Sequence, residues 1–219
     1  MQKYIDILVK VTKTEYAQKL MAGYVYMKPL EFYRKIENNI AKTDGAFDIN
    51  EGLAAEKVNV LLKTSEMKLS LKNVSIFLNY PVFCCSRIRF EADNNKKLDL
   101  FDPRLFTDFV SGNSAEFSVL FIQTREFINR FRETAIKNNI RHDIKPVVYE
   151  NFDNDSDYLT NPAMGIFRKS PSHSYQKEVR AVLYKEVSEP ENFYIGDISD
   201  ISKMLPVNIL TDELFLSLY

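Results

Sequence analysis

The sequence predicts an α+β fold with a mixed or mainly antiparallel β-core flanked by helices. Short β-branched and aromatic runs recur along the 219 residues, which favours several strands. Segments with apolar residues at 3.6-residue spacing lie between them, which favours helices. No internal repeat or low-complexity linker divides the chain, so we expect one α+β domain spanning residues 1–219.

The strand predictions rest on alternating or continuous apolar runs. Residues 82–86 and 178–184 contain no proline or glycine, so we expect both to be central strands of one sheet. Further predicted strands are 4–11, 24–27, 87–90, 117–122, 145–149, 193–195 and 207–210, and the region 57–86 is rich in strand patterns.

The helix predictions rest on helical spacing and end signals. Thr12 or Thr14 is expected to cap a helix that Gly23 ends, and Thr124 to cap a helix reaching residue 138. Further helices are predicted at 30–37, after Asp102-Pro103, and within a turn and short helix at 197–205. The apolar faces of the helices after 102 and 124 are formed by Leu105, Phe106, Phe109 and Val110 and by Phe127, Ile128, Phe131, Ala135 and Ile136.

The charge balance gives no global attraction to nucleic acid or to an anionic membrane. The chain has 29 basic and 30 acidic residues and a net charge of −1. A nucleic-acid site would need the basic face of the 124–138 helix to join Arg87, Arg89 and Lys96-Lys97 in one patch. No run approaches ~18 apolar residues, and the N-terminus lacks a signal-peptide core, so we expect a cytoplasmic protein without a membrane segment.

The two cysteines, Cys84 and Cys85, are adjacent. Neighbours on a strand point to opposite faces, so we expect free thiols in a reducing compartment. With two histidines and no other cysteine, we expect no metal. The predicted loop at 38–52 contains Asp44, Asp48 and Glu51. It is interpreted either as a site for a cation or a substrate base, or as a solvated loop whose acids cap helices.

Several catalytic classes lack their motifs. The chain has no phosphate loop, no dinucleotide glycine fingerprint and no nucleophile elbow. His142 is expected in a surface turn and His173 in an exposed loop. Residues 151–157 form an acidic segment expected to be a loop or lid.

The best candidates for a site are Gln176, Glu178 and Arg180. Glu178 and Arg180 are two charges at the head of an otherwise hydrophobic strand. Such charges are costly to bury unless they pair with each other, with a partner or with a ligand.

Three segments together resemble a broad family of uncharacterised bacterial and phage domains. Residues 23–30 followed by 47–52 resemble its opening strand and acidic loop, and Phe83-Cys84-Cys85-Ser86 looks like its central Cys-Phe-Ser strand. Residues 167–170 with 175–180 look like its terminal Lys-Ser…Glu-x-Glu-x-Arg strand. The chain differs from the family in having no tryptophan. The resemblance implies phage–host or toxin-type biology.

A more distant resemblance, to ADP-ribosyltransferase-like domains, implies a chemistry. Ser86 would match their strand serine, and Gln176 and Glu178 their Gln/Glu-x-Glu pair. That resemblance implies NAD as substrate, with Glu178 holding a ribose hydroxyl and stabilising an oxocarbenium-like transition state. Tyr26 or Tyr175 would stack on nicotinamide, Arg180 would join the substrate site, and Ser86 would fix Glu178 through a hydrogen bond.

The alternative is a non-enzymatic protein, a phage-encoded or defence-related inhibitor that binds a host or phage protein. In that case we expect the contact surface on the two helix faces around Leu105 and Phe127, which would also serve a homodimer if left exposed. A pocket beside Ser86 would favour the enzyme. A buried pair of Glu178 with an arginine, and no cavity, would favour the binding protein.

Overall fold

The computed structural model describes residues 4–33, 53–63, 68–91, 102, 104–107, 114–151 and 162–207. It confirms the α+β class. The strands are β1 (Tyr4–Lys13), β2 (Tyr24–Pro29), β3 (Leu53–Lys63), β4 (Lys68–Phe77), β5 (Pro81–Glu91), β6 (Phe117–Gln123), β7 (His142–Pro146), β8 (Val148–Tyr149), β9 (Arg168–Lys169), β10 (Glu178–Leu183), β11 (Glu191–Tyr194) and β12 (Ser202–Pro206). The α-helices are α1 (Thr14–Met21), α2 (Arg104–Thr107) and α3 (Thr124–Lys137), and residues 30–33 are also helical. Short 3-10 turns lie at Ser114–Glu116, Pro162–Phe167, Pro171–Gln176 and Ser199–Ile201.

Eight strands form one antiparallel sheet. Its order is β11-β2-β5-β1-β6-β12, with β10 joined to β5 and β7 joined to β10. The strands β3 and β4 form a separate antiparallel hairpin, and β8 and β9 form a short parallel pair. The predicted placement of residues 82–86 and 178–184 in one sheet is confirmed. They are neighbours, and each strand has partners on both edges.

Strand β5 is flanked on one edge by two different strands. Ser86 lies opposite both Val9 of β1 and Glu178 of β10. Val82 lies opposite both Lys28 of β2 and Val182 of β10. Strand β10 pairs with one edge of β5 at both Ser86 and Val82, so β1 and β2 both pair with the opposite edge of β5.

One face of the sheet is covered by α1 and α3. Alternation along the strands directs Leu8, Phe83, Cys85 and Val179 into this core. The helices contribute fully buried side chains to it: Ala17, Phe127, Phe131 and Ala135.

Part of the predicted helix-face assignment is wrong. Ile136 is 70% exposed. It follows the buried Ala135 directly, and one residue turns an α-helix by about 100°, which carries Ile136 away from the core. Leu105 is buried as predicted. The predictions for Phe106, Phe109 and Val110 concern side chains outside the described part of the chain.

The predicted threonine caps are also wrong. Thr14 and Thr124 are the first residues of α1 and α3, and neither helix start carries a side-chain cap. The Thr14 hydroxyl contacts the Glu116 carbonyl and the Ser118 hydroxyl, at 3.0 and 2.8 Å. The Thr124 hydroxyl donates to the Asp6 carbonyl at 2.7 Å. These threonines therefore tie the helices to neighbouring strands.

Gly23 ends the first helix region, as predicted, with a φ of +93°. A left-handed φ favours glycine because it has no Cβ. A Cβ at this position would lie 2.1 Å from the Gly196 carbonyl oxygen, so close backbone approach requires glycine here as well.

Three further local predictions need correction. Ser202–Pro206 is strand β12 rather than helix, because it pairs with β6 and tertiary pairing overrides its local pattern. His142 lies in β7 opposite Leu183 and is not in a surface turn. The strand predicted at 145–149 is interrupted at Val147, whose N–H donates to the Glu178 carbonyl.

The helix predicted at 30–37 is described only at 30–33, which is helical. The loops at 38–52 and 152–157 and the strand residues 208–210 lie outside the described residues.

Candidate functional site

Three of the predicted site residues, Ser86, Glu178 and Arg180, lie on the sheet face opposite α1 and α3. Directly opposed residues of antiparallel strands project to the same face. Ser86 faces Glu178, and Cys84 faces Arg180, in the β5–β10 register. These four residues therefore form a single cluster at the junction of the two strands.

Strand β2 brings an aromatic and a cation to the same face. Lys28 lies opposite Val82, and Tyr26 follows the same alternation along β2. Tyr26 is 46% exposed. Its strand lies two strand spacings, about 10 Å, from β10.

Glu178 is buried and doubly paired. The residue is 6% exposed, and all six residues of β10 are buried. Arg180 Nε donates to Glu178 Oε1 at 2.6 Å, and Lys169 Nζ donates to Oε2 at 3.2 Å. Burial raises the pKa of Glu178, but the charges of Arg180 and Lys169 outweigh burial and hold the pKa well below its usual range. The carboxyl is therefore ionised at neutral pH.

Arg180 is fully buried, and its guanidinium contacts the Ile166 carbonyl as well as Glu178. The bond to the carbonyl fixes the guanidinium in place, so Arg180 holds one oxygen of Glu178 in a defined position.

Gln176 joins the cluster through Lys169. Lys169 Nζ donates to Gln176 Oε1 at 2.8 Å, and Gln176 Nε2 donates to the Tyr175 hydroxyl at 3.2 Å. Tyr175 is buried, and the Arg104 guanidinium stands 4.1 Å from its ring centroid. One side of that ring is thus already covered by a cation.

A left-handed residue separates Gln176 from Glu178. Lys177 follows the 3-10 turn Pro171–Gln176 with φ 43° and ψ 44°. Its carbonyl accepts a hydrogen bond from the Arg87 N–H at 3.0 Å, which joins the turn to β5. Lys169 reaches both side chains from β9, and the Glu178 N–H donates to the Tyr149 hydroxyl at 2.7 Å.

Ser86 lies beside Glu178 without a hydrogen bond to its carboxylate. Both residues are described, and the expected bond between them is not formed. The thiol of Cys84 takes that place and contributes to lowering the pKa of Glu178. Ser86 itself is half-buried.

Sequence reasoning missed Lys169, Cys84 and Lys28 as members of the site. Lys169 stands in the Lys-Ser pair that supports the family resemblance, which was a usable signal. Lys28 and Cys84 join the site only through the pairing of β2, β5 and β10. No short motif carries that information.

The described residues contain no group of three or more His, Cys, Asp or Glu side chains arranged to hold a metal ion. Both cysteines are free thiols, with Cys85 buried and Cys84 half-buried. The acidic loop of Asp44, Asp48 and Glu51 lies outside the described residues. Within the described ranges, no helix combines the length and apolar character needed to cross a membrane.

Comparisons with protein-family models, with curated proteins and with solved structures found no match to this chain.

Proposed function

We propose that this chain binds NAD and acts on its nicotinamide–ribose bond, as an ADP-ribosyltransferase-like or NAD-cleaving protein. The observation that supports the proposal is the grouping of Gln176, Glu178 and Ser86 at the junction of β5 and β10. The sequence resemblance implies catalytic roles in NAD chemistry for these three residues.

The reaction needs an ionised carboxylate near the ribose. The bond between ribose C1′ and the nicotinamide nitrogen breaks, and its electron pair leaves with nicotinamide. An oxygen of water or of an acceptor side chain forms the new bond to C1′ and loses its proton. Positive charge develops on the ribose in the transition state, and a fixed carboxylate stabilises that charge. The low pKa of Glu178, caused by its two cations, supports this role.

The two oxygens of Glu178 are held unequally. Arg180 holds Oε1 at 2.6 Å, whereas Lys169 stands 3.2 Å from Oε2. In this proposal a ribose hydroxyl takes the place of Lys169 at Oε2, and Gln176 contacts the same ribose. Tyr26 provides the stacking surface for nicotinamide, because it is exposed and Tyr175 is buried under Arg104.

The test is nicotinamide release from NAD, with and without cell lysate as a source of acceptor. Glu178→Gln keeps the shape and removes the charge, and we expect release to fall on the order of 10² or more. Glu191→Gln is the matched control, since Glu191 also pairs with a lysine, Lys185, at 2.7 Å. Ser86→Ala is a second variant that removes no ion pair. Wild-type protein that neither binds nor cleaves NAD would rule the proposal out.

A second candidate is a phage-encoded or defence-related inhibitor that binds another protein. The buried Glu178–Arg180 pair is one of the two features expected of this class, the other being the absence of a cavity beside Ser86. Its contact surface would differ from the one first expected, because the Phe127 face of α3 is filled by the core. Among the described residues, three exposed tyrosines lie on β2 and β11, where the ring centroids of Tyr24 and Tyr194 stand 5.0 Å apart, and Tyr16 is exposed on α1.

Light scattering across a tenfold concentration range tests whether this tyrosine surface supports self-association. If the chain forms a dimer, we expect the double substitution Tyr24→Ser and Tyr194→Ser to lower the average mass that light scattering measures. Tyr16→Ser on α1 is the control, because Tyr16 is equally exposed outside β2 and β11. A dimer unaffected by the double substitution would place the interface elsewhere.

A further inference from the structure

Three aromatic rings surround the side-chain ammonium of Lys28. Its Nζ stands 4.2 Å from the ring centroid of Phe32, 5.7 Å from that of Tyr26 and 5.9 Å from that of Tyr33. The rings of Phe32 and Tyr33 are inclined at 84° to each other, so they form two walls at nearly a right angle. Tyr26 supplies a third wall that borders solvent, since it is 46% exposed. We call Tyr26, Phe32 and Tyr33 the aromatic cage.

The cage is anchored where β2 passes into the short helical stretch that follows it. Leu30 is fully buried, and its N–H donates to the Tyr80 carbonyl at 3.2 Å. The N–H of Glu31 donates to the side-chain oxygen of Asn79 at 2.8 Å. These bonds hold the backbone just before Phe32 in place. The cage is therefore formed before a ligand arrives, which lowers the entropy cost of binding.

Lys28 gains little from occupying the cage itself. Among the described residues, no carboxylate pairs with its ammonium, and burial lowers its pKa. A primary ammonium is strongly hydrated, and aromatic rings replace its lost water only partly. A quaternary ammonium has no N–H group to hydrate, so it enters an aromatic cage at a lower desolvation cost. Such a ligand can displace the Lys28 ammonium, which is half-buried and carried on a flexible four-carbon stem.

We propose that the aromatic cage binds the quaternary ammonium of a phosphocholine group, and that the displaced Lys28 ammonium pairs with the phosphate of the same group. The three rings supply the cation contact that they now give to Lys28. Lys28 supplies a point charge for the phosphate. The two charges of the ligand and the charge of Lys28 are thus all paired. This proposal concerns binding and does not depend on cleavage of NAD at Glu178.

Calorimetry on the full chain tests the cage with choline and with its uncharged analogue, in which a tert-butyl group replaces the trimethylammonium. We expect choline to bind at least about tenfold more tightly than the analogue. Phe32→Leu keeps an apolar side chain but removes the nearest ring, and it should weaken choline binding about tenfold. Tyr16→Leu is the matched control, because Lys19 Nζ lies 5.8 Å from the Tyr16 ring centroid, but on α1 at the other face of the sheet.

Three results would overturn the cage: no choline binding by the wild type, equal affinity for the uncharged analogue, or equal loss in Phe32→Leu and Tyr16→Leu. Tyr26→Leu should repeat the effect of Phe32→Leu at an exposed position, where the fold is not at risk. Glu178→Gln should leave choline binding unchanged, so the site can hold even if the NAD reaction fails.

Lys28→Gln tests the phosphate contact separately. Phosphocholine should bind the wild type more tightly than choline does, and this advantage should disappear in Lys28→Gln. Choline itself should bind that variant at least as tightly as the wild type, because the competing ammonium is gone. A phosphocholine advantage that persists in Lys28→Gln overturns the phosphate contact.

Sedimentation with phosphatidylcholine vesicles distinguishes the two sources of the group. Pelleting that free phosphocholine reverses, and that Phe32→Leu abolishes, assigns the site to a lipid headgroup. Binding of phosphocholine without pelleting assigns it to a free small molecule.

Discussion

Glu178 of β10 lies directly opposite Ser86 of β5, yet the acid is held by Arg180 and Lys169 and not by the serine. The serine hydroxyl is thus left beside a fixed carboxylate. This arrangement gives Glu178 a structural role as well as the proposed chemical one, and the two roles can be separated experimentally.

Glu178→Gln should lower the free energy of unfolding by about 3–5 kcal/mol, because it leaves two buried cations without their anion. Urea denaturation measures the loss. Glu191→Gln breaks the partly exposed ion pair with Lys185, and it should lower the free energy of unfolding by less than about 1 kcal/mol. Equal effects of the two substitutions would show that the buried cluster contributes little.

Acid should destabilise the wild type more than Glu178→Gln. The folded-state pKa of Glu178 lies below its ordinary value of 4.5, so its stabilising effect is present above about pH 4.5 and is lost as the pH falls toward the folded-state pKa. We expect the difference in free energy of unfolding between wild type and variant to shrink from pH 5 downward. A difference constant from pH 6 to pH 3 would contradict the assigned ion pairs.

Gly23→Ala should lower the free energy of unfolding by about 2 kcal/mol or more. The substitution combines a left-handed φ of +93° with a Cβ placed 2.1 Å from the Gly196 carbonyl oxygen. Gly196→Ala is the control. Its φ is +85°, but no atom lies within 4 Å of its added Cβ, so only the backbone strain applies. Thermal unfolding should therefore rank Gly23→Ala as the more damaging, and the reverse order would refute the described contact.

The two cysteines should differ in reactivity. Burial raises the pKa of the Cys85 thiol to about 12, whereas Cys84 is half-buried beside Glu178. We expect a maleimide to label native Cys84 at least about tenfold faster than Cys85, as read by peptide mass analysis, with both labelled in denaturant. Faster labelling of Cys85 would mean that the two faces of β5 are assigned the wrong way round.

The sequence allowed the strand content and the central strands to be predicted, because alternation and apolar runs directly reflect burial. It also brought Glu178, Gln176 and Ser86 into one hypothesis. The Lys-Ser pair marks Lys169, but its contacts with Gln176 and Glu178 cannot be predicted from it, since the 3-10 turn and the left-handed Lys177 decide where those two side chains lie. The position of Lys28 beside the cluster depends on which strands pair with β5, and such long-range pairing leaves no local signal. For the same reason the local pattern at 197–205 predicts a helix where residues 202–206 pair as strand β12.

Saturation-transfer NMR of NAD with the wild-type chain tests most directly our proposal that the sheet face around Glu178 accepts NAD. We expect transfer to the nicotinamide protons that falls in Tyr26→Ala and is unchanged in Tyr16→Ala. No transfer from the wild type, or equal transfer in both variants, would contradict it.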